Sequence, residues 1–312
     1  MLIFARKISV LDTSTKTIKI GTRGSLLALW QANFTIQQLK ENGIKAELEI
    51  IKTKGDKIQD LSFDKIEGKG FFTKEIEEAL LRGDVDMAVH SMKDLPTNAP
   101  DGLTIAAVSY REDPSDWLVL LPSKAVDNQL FKLHKNAVVG TSSARRKAQL
   151  LDYRPDVQLK DIRGNVPTRI EKLRKGDFDA IVLAAAGIKR LELDLSDLKI
   201  VPLNPKEFIP SPAQGVLAFQ TCEDNINVRR ILKLLHQPEV SSVTNVERKV
   251  LNLMDGGCHL PLGVYCEKDA QGNYHVWAAK ADTWNSPVTR VQLSSSTSHG
   301  LAEKIVTAIQ NK

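Results

Sequence analysis

Cysteine is scarce in this chain: three residues, Cys222, Cys258 and Cys266, in 312. So few, and an odd number, argue against a disulfide framework. Aromatic residues make up 5% of the sequence, and no dense lysine–arginine tract is interleaved with them. Nucleic-acid binding is therefore not implied. No apolar run reaches the roughly 18 residues that span a bilayer. Met1-Leu2-Ile3-Phe4 is too short an apolar start for a signal peptide, and no small-residue cleavage pattern follows it. A Walker-type phosphate loop and a dinucleotide fingerprint are both missing, which disfavours nucleotides as ligands. These absences lead to the expectation of a cytoplasmic protein with no membrane and no nucleic-acid partner.

What is present is an ordinary globular composition, 42% hydrophobic and 26% charged, with a mild net charge of +5. The length suits two or three domains at about 100–200 residues each. Residues 1–16 read as a polar extension. Ile18-Lys19-Ile20 reads as a strand that turns through Gly21-Thr22-Arg23-Gly24-Ser25 into an amphipathic helix, with Ser25 as N-cap and Gly43 as stop. A polar stretch from Thr53 to Gly70 has little periodicity. Two devices then repeat. Ile20–Ser25 resembles Val139–Ala144, and Leu80–Val89 resembles Leu173–Val182 around Gly83-Asp84 and Gly176-Asp177. Two α/β lobes of similar build, with mostly parallel sheets, follow from this. The expected division is 1–110 with a return segment at about 211–232, then 114–207, then 236–312. The last part reads as a small α+β domain with an antiparallel three-stranded sheet, turned at Gln271-Gly272-Asn273.

In open α/β sheets ligands gather at the carboxyl ends of strands. Four such ends are basic or polar here: Arg23 with Ser25, His90-Ser91-Met92-Lys93-Asp94, Thr141-Ser142-Ser143-Ala144-Arg145-Arg146, and Arg163-Gly164-Asn165 with Arg169 behind it. Arginine matches carboxylate or phosphate bidentately and stays charged, so the implied ligand is polyanionic and touches both lobes. Asp94 is the exception in this basic surround. It reads as a general acid or a cation stabiliser, or else as a helix cap or a salt-bridge partner of Lys93. Cys258 stands in Asp255-Gly256-Gly257-Cys258-His259-Leu260-Pro261-Leu262-Gly263, a loop that presents a thiol. A metal site with His259, Cys222 and Cys266 lacks ligand spacing, and no metal is expected. A catalytic thiolate, a small core residue and a tether for a prosthetic group remain as readings.

The chain resembles the porphobilinogen deaminase (hydroxymethylbilane synthase) family from about Ile18 onward. The resemblance rests on Gly21–Gln31, Gly68-Lys69-Gly70, Ala88–Pro96, Gly140–Arg146, Arg163–Val166 and Gly256–Pro261. It implies two lobes built like periplasmic solute-binding proteins, plus a third domain carrying a dipyrromethane cofactor in thioether linkage to Cys258. It implies Asp94 as the catalytic carboxylate. Cofactor- and substrate-binding positions carry over to Arg23, Ser25, Gln31, Lys65, Lys69, Ser91, Lys93, Thr141, Ser142, Ser143, Arg145, Arg146, Arg163, Arg169, Arg190 and Gln214. The implied reaction is a transferase's: four porphobilinogen molecules are joined head to tail with loss of ammonia, and water releases hydroxymethylbilane, a precursor of haem. A monomer is expected. One departure falls near the site, since the family commonly has Gly-Gln-Gly-Ala where this chain has Ala213-Gln214-Gly215-Val216.

Overall fold

The computed structural model describes residues 17–53, 73–255 and 260–311. The expected extension over 1–16, Lys65, Lys69, Cys258 and His259 lie outside the described residues. In chain order the strands are β1 (Ile18–Thr22), β2 (Ala46–Ile50), β3 (Met87–Ser91), β4 (Leu103–Val108), β5 (Asp116–Leu120), β6 (Val138–Gly140), β7 (Gln158–Lys160), β8 (Ala180–Ala184), β9 (Lys199–Pro202), β10 (Leu217–Cys222), β11 (Leu262–Lys268), β12 (Tyr274–Lys280) and β13 (Thr289–Ser295). The helices are α1 (Leu26–Glu41), α2 (Lys74–Arg82), α3 (Ala144–Tyr153), α4 (Val166–Arg174), α5 (Ala185–Arg190), α6 (Ile226–Leu232), α7 (Pro238–Leu253) and α8 (Leu301–Gln310).

Two five-stranded sheets share one plan. The first has the order β2-β1-β3-β10-β4 and the second β7-β6-β8-β5-β9. In each, the first three strands pair in parallel and the fourth runs antiparallel to both neighbours. Four of five strands thus point one way, as the alternation of strands and helices leads one to expect. The antiparallel strand enters from the other lobe's side of the chain. β5 opens the second sheet just after the crossing at 109–115, and β10 returns to the first just after the crossing at 203–216. β10 falls within the stretch 211–232.

The repeated sequence devices are repeated structures. Gly83 and Gly176 both sit at left-handed φ, +76° and +82°, where α2 and α4 end. Three residues on, Asp86 Oδ2 accepts the Lys19 N–H at 2.9 Å, and Asp179 Oδ2 accepts the Val138 N–H at 2.8 Å. In both lobes an aspartate from one βαβ unit therefore ties down the start of the sheet's second strand in the order. Both sheets are covered on two faces, which is why their strands read as apolar runs. Ile20, Met87, Val89 and Phe219 pack against Ala32 and Leu39 of α1 and Leu232 of α6, with Ile76 and Leu80 of α2 in a second cluster. Leu118, Val139, Leu150 and Phe208 form one cluster of the second lobe, and Val119, Ile181, Ile170 and Leu173 another.

The third sheet, β11-β12-β13, is antiparallel throughout and is packed by α7 and α8 through Val246, Val250, Val264, Val276 and Ile305. Helix α7 starts at Pro238, and proline suits the first turn. Glu247 of α7 is fully buried and joins three parts of the chain. It pairs with Arg111 at 2.7 Å and accepts the backbone N–H groups of Ala213 at 2.6 Å and Cys266 at 2.8 Å. Removing one member of a buried pair leaves the other charge uncompensated, which costs about 3 kcal/mol or more. Glu247→Ala is expected to lower the melting temperature sharply, while Glu267→Ala, at a surface pair with Lys206, leaves it nearly unchanged. Differential scanning calorimetry on the two variants checks the contrast.

Candidate active site

The carboxyl ends of β1, β3 and β6 present short turns into helices. After β1, the Ser25 hydroxyl accepts the Ala28 N–H at 3.4 Å and caps α1, leaving Arg23 half-buried beside it. One and a half turns into α1, Gln31 is 3% exposed and donates to the Ser91 hydroxyl at 2.9 Å. Ser91 closes β3 and precedes a single helical turn, Met92–Asp94. Asp94 is exposed on that turn. Lys93 reaches Gln214 Oε1 at 3.4 Å. Burial, opposed by the Asp94 carboxylate, holds the Lys93 ammonium below its ordinary range.

Beyond β6, Thr141-Ser142-Ser143 leads into α3. Ser142 is bound into the backbone: its hydroxyl donates to the Ile162 carbonyl at 2.8 Å and accepts the Ile162 N–H at 3.0 Å. Thr141 Oγ1 accepts the Ser143 N–H at 3.3 Å. Arg145 and Arg146 occupy the first turn of α3 and are 5% and 7% exposed. Two adjacent guanidinium groups at a helix N-terminus oppose the helix dipole, so a counter-charge is needed. Asp116, at the start of β5, is that group. It accepts from Arg145 at 2.8 Å and from Arg146 at 2.7 Å, and these two cations hold its carboxyl far below the usual range despite burial. Gln214 completes the cluster, donating to Asp116 Oδ1 at 2.9 Å and to the Pro114 carbonyl at 2.8 Å. The hydrogen bonds run from Lys93 in the first lobe through Gln214, in the crossing before β10, to Asp116 and both arginines in the second.

Arg163 and Arg169 flank the N-terminus of α4, where Asn165 Oδ1 caps the helix by accepting the Thr168 N–H at 2.9 Å. Arg169 Nε donates to the Gly164 carbonyl at 2.7 Å. Burial, followed by the charges of Arg146 and Arg163, lowers the Arg169 guanidinium to about 10. Three arginines therefore share one electrostatic neighbourhood. Arg190, at the end of α5, donates to the Gly215 carbonyl at 2.7 Å and lies over the Trp30 ring of the other lobe at 5.6 Å. Gly215 is at φ +91°, and a Cβ there would meet the Glu112 carbonyl at 2.2 Å, so the two crossing segments can lie back to back only with glycine. Ala213, where the family commonly has glycine, also takes a left-handed φ of +60°. That conformation is uncommon for alanine, yet Gln214 still reaches its partners.

The structure brings Arg23, Ser25, Gln31, Ser91, Lys93 and Asp94 to one set of strand ends, and Thr141, Ser142, Ser143, Arg145, Arg146, Arg163 and Arg169 to the other. Arg190 and Gln214 sit between. A small cavity lined by Lys93, Thr97, Ser143, Arg145, Ser211 and Leu260 opens between the two sets; Leu260 stands two residues after Cys258 in the chain. A wider cleft near Arg111, Tyr265 and Lys268 lies elsewhere, and its cations are already paired with Glu247 and Glu239. Among the described residues, no group of three or more His, Cys, Asp or Glu side chains could hold a metal ion. No helix of the described residues is long and apolar enough to cross a membrane.

Residues 18–230 match the family model described as "Porphobilinogen deaminase, dipyromethane cofactor binding domain". The chain belongs to the porphobilinogen deaminase family. A porphobilinogen deaminase of Sulfurimonas denitrificans is 47% identical over 80% of this chain and 79% of its own, and one of Oceanobacillus iheyensis is 45% identical over 81% of each. Among solved structures, the probable amino-acid ABC transporter extracellular-binding protein ytmK from Bacillus subtilis is 14% identical, covering 77% of this chain and 97% of that one at a TM-score of 0.46. Members of the deaminase family are hydroxymethylbilane synthases, transferases of tetrapyrrole and haem biosynthesis that use dipyrromethane as cofactor. The matched region ends before Cys258, so the part of the chain that the model describes as cofactor-binding is the pair of lobes with their arginines.

Buried donors fit such a cofactor. Arg146 Nε and Arg190 Nε are buried and have no hydrogen-bond partner among the described residues, and a buried guanidinium donor is costly unless an acceptor meets it. Carboxylates on pyrrole rings are acceptors of the right charge. His90 lies beneath this surface, 6% exposed in β3. Burial, opposed by the Gln220 side chain and aided by the Arg23 charge, lowers it from 6.5 to about 4. With a folded-state value below the unfolded one, the unfolded chain takes up the proton first as pH falls. Stability is untouched above about 6.5 and declines towards pH 4, by about 3 kcal/mol in all at about 1.36 kcal/mol per unit. His90→Gln is expected to show a shallower fall in melting temperature between pH 6.5 and 4 than the parent chain, measured by thermal melts across that window.

Proposed function

We propose that the array of cations at the strand ends holds the acetate and propionate groups of a growing pyrrole chain, with Asp94 as the catalytic residue and Cys258 as the attachment point. The observation that carries this reading is the pair of buried arginine Nε donors, of Arg146 and Arg190, that have no hydrogen-bond partner among the described residues. When bound, the dipyrromethane supplies the free pyrrole α-carbon at which the chain lengthens. Arg145, Arg146, Arg163 and Arg169 bind carboxylates, and Arg23, Ser91 and Lys93 orient the incoming porphobilinogen. Loss of ammonia from its aminomethyl carbon leaves a cationic pyrrole. The Asp94 side chain stabilises that cation as the C–N bond breaks, and the new C–C bond forms with loss of the α-carbon proton. Ser25, Gln31, Thr141, Ser142, Ser143, Arg190 and Gln214 hold these groups in place. Lys65 and Lys69 add charge to the same ligand.

The protein works as a cytoplasmic monomer under this reading. Its three parts divide at the crossings, 1–110 with 211–232, 114–207, and 236–312. Intact mass of the full chain tests the proposal: an increment of two pyrrole units that maps to the peptide containing Cys258 is expected. A chain without any increment, or with the increment on Cys222 or Cys266, overturns it.

A further inference from the structure

Helix α7 leads directly to the Cys258 segment, and one of its faces grips the turn that carries Asp94. Arg248 Nη1 donates to the carbonyls of Met92 at 3.1 Å and Leu95 at 3.1 Å, and its Nη2 donates to the Pro96 carbonyl at 2.6 Å. One turn later Asn252 Nδ2 donates to Asn98 Oδ1 at 2.8 Å and to Thr97 Oγ1 at 3.1 Å. Residues four apart on a helix lie on one face, so Arg248 and Asn252 form a single clamp over residues 92–98. Among the described residues the main chain of the turn also joins Met92 N–H to the Val216 carbonyl at 2.9 Å and Leu95 N–H to the Met92 carbonyl at 3.3 Å. A planar guanidinium with a fixed fork of donors here gathers the carbonyl of Met92, at the start of the turn, and those of Leu95 and Pro96 just past it.

We propose that Arg248 is a positioning residue that fixes the Asp94 carboxylate relative to the cysteine-bearing domain. It touches neither substrate nor cofactor in this role. It acts by setting the backbone from which Asp94 projects, and a misplaced catalytic group costs rate more than affinity. Lysine at 248 retains a charge but has a point-like ammonium, so it reaches fewer carbonyls and restores part of the effect. The inference rests on the role given to Asp94 above, and its test has a readout that does not depend on turnover.

The experiment compares Arg248→Met and Arg248→Lys with the parent chain, all full length, by intact mass, steady-state kinetics with porphobilinogen and hydrogen exchange. Expected for Arg248→Met are unchanged cofactor increment, kcat lower by at least 10-fold, KM within about 3-fold, and amide exchange at residues 92–95 at least 10-fold faster. Arg248→Lys is expected between the two. A purely structural role predicts a lower melting temperature with kcat intact, and that result overturns the inference. Unchanged exchange at residues 92–95 overturns it as well. Faster local exchange with kcat unchanged overturns the inference, whereas an intact kcat in Asp94→Asn overturns the role of Asp94, so the two failures are distinguishable.

Discussion

Cys258→Ser is expected to yield a folded chain with no dipyrromethane and no measurable turnover. The hydroxyl that replaces the thiol is not ionised near neutral pH, and a thioether forms from a sulfur nucleophile. The other two thiols cannot take over. Cys266 is buried in the core of the third sheet, and burial, with the Glu247 charge adding, pushes its thiol far above the ordinary range. Cys222 is half-buried, donates to the Leu80 carbonyl at 3.1 Å, and is also shifted upward by burial. Stability should be close to that of the parent without its cofactor, because nothing in the hydrogen-bonded core around Glu247 depends on the substitution. Intact mass, a thermal melt and a turnover assay on one preparation check all three statements. Normal cofactor mass together with normal activity in Cys258→Ser would falsify the attachment.

Asp94→Asn keeps size and shape and removes a charge. If the carboxylate stabilises the cation left by departing ammonia, the interaction is strongest in the transition state and acts on kcat more than on KM. A loss of at least ~100-fold in kcat is expected, the scale of deleting one preorganised electrostatic group. Asp94→Glu retains the charge at a displaced position and should keep part of the rate. Because Asp94 is exposed, Asp94→Asn should melt within a few degrees of the parent chain. Steady-state rates and melts on both variants decide the matter. Near-parental kcat in Asp94→Asn sinks the catalytic role.

The glycine turns, Ser25 as a cap, the doubled Gly-Asp device and the cationic strand ends were legible because each is local. A left-handed glycine or a capping hydroxyl acts on the next few residues. The turn at Gln271-Gly272-Asn273 between the first two strands of the last sheet was legible for the same reason. Strands β4, β5 and β9 had no such signature: Leu103–Val108 reads as an apolar run, and its pairing with β10 joins distant parts of the chain. Asp116 was illegible too. In Asp113-Pro114-Ser115-Asp116-Trp117 it looks like any polar loop residue, and its partners Arg145, Arg146 and Gln214 are far along the sequence. The sequence marked those two arginines as ligand-binding cations. In the structure part of their hydrogen-bonding capacity is already committed to Asp116, Val182 and Ile209, so a ligand meets the donors that remain. Glu247 and Arg248, neighbours on α7 with opposite tasks, carry no motif at all.

The crossed strands also set an order for synthesis on the ribosome. The second lobe, β5 to β9, contains every strand of its own sheet within one continuous stretch, residues 116–202. The first lobe does not, since β10 lies between β3 and β4 and is translated last. Until that segment leaves the exit tunnel, β3 presents an unfilled edge of buried residues, Met87-Ala88-Val89-His90. The part of the nascent chain that emerges second is thus the first able to complete itself, reversing the usual N-terminal-first order of domain folding. An open apolar edge is a template for pairing with the wrong strand until β10 fills it.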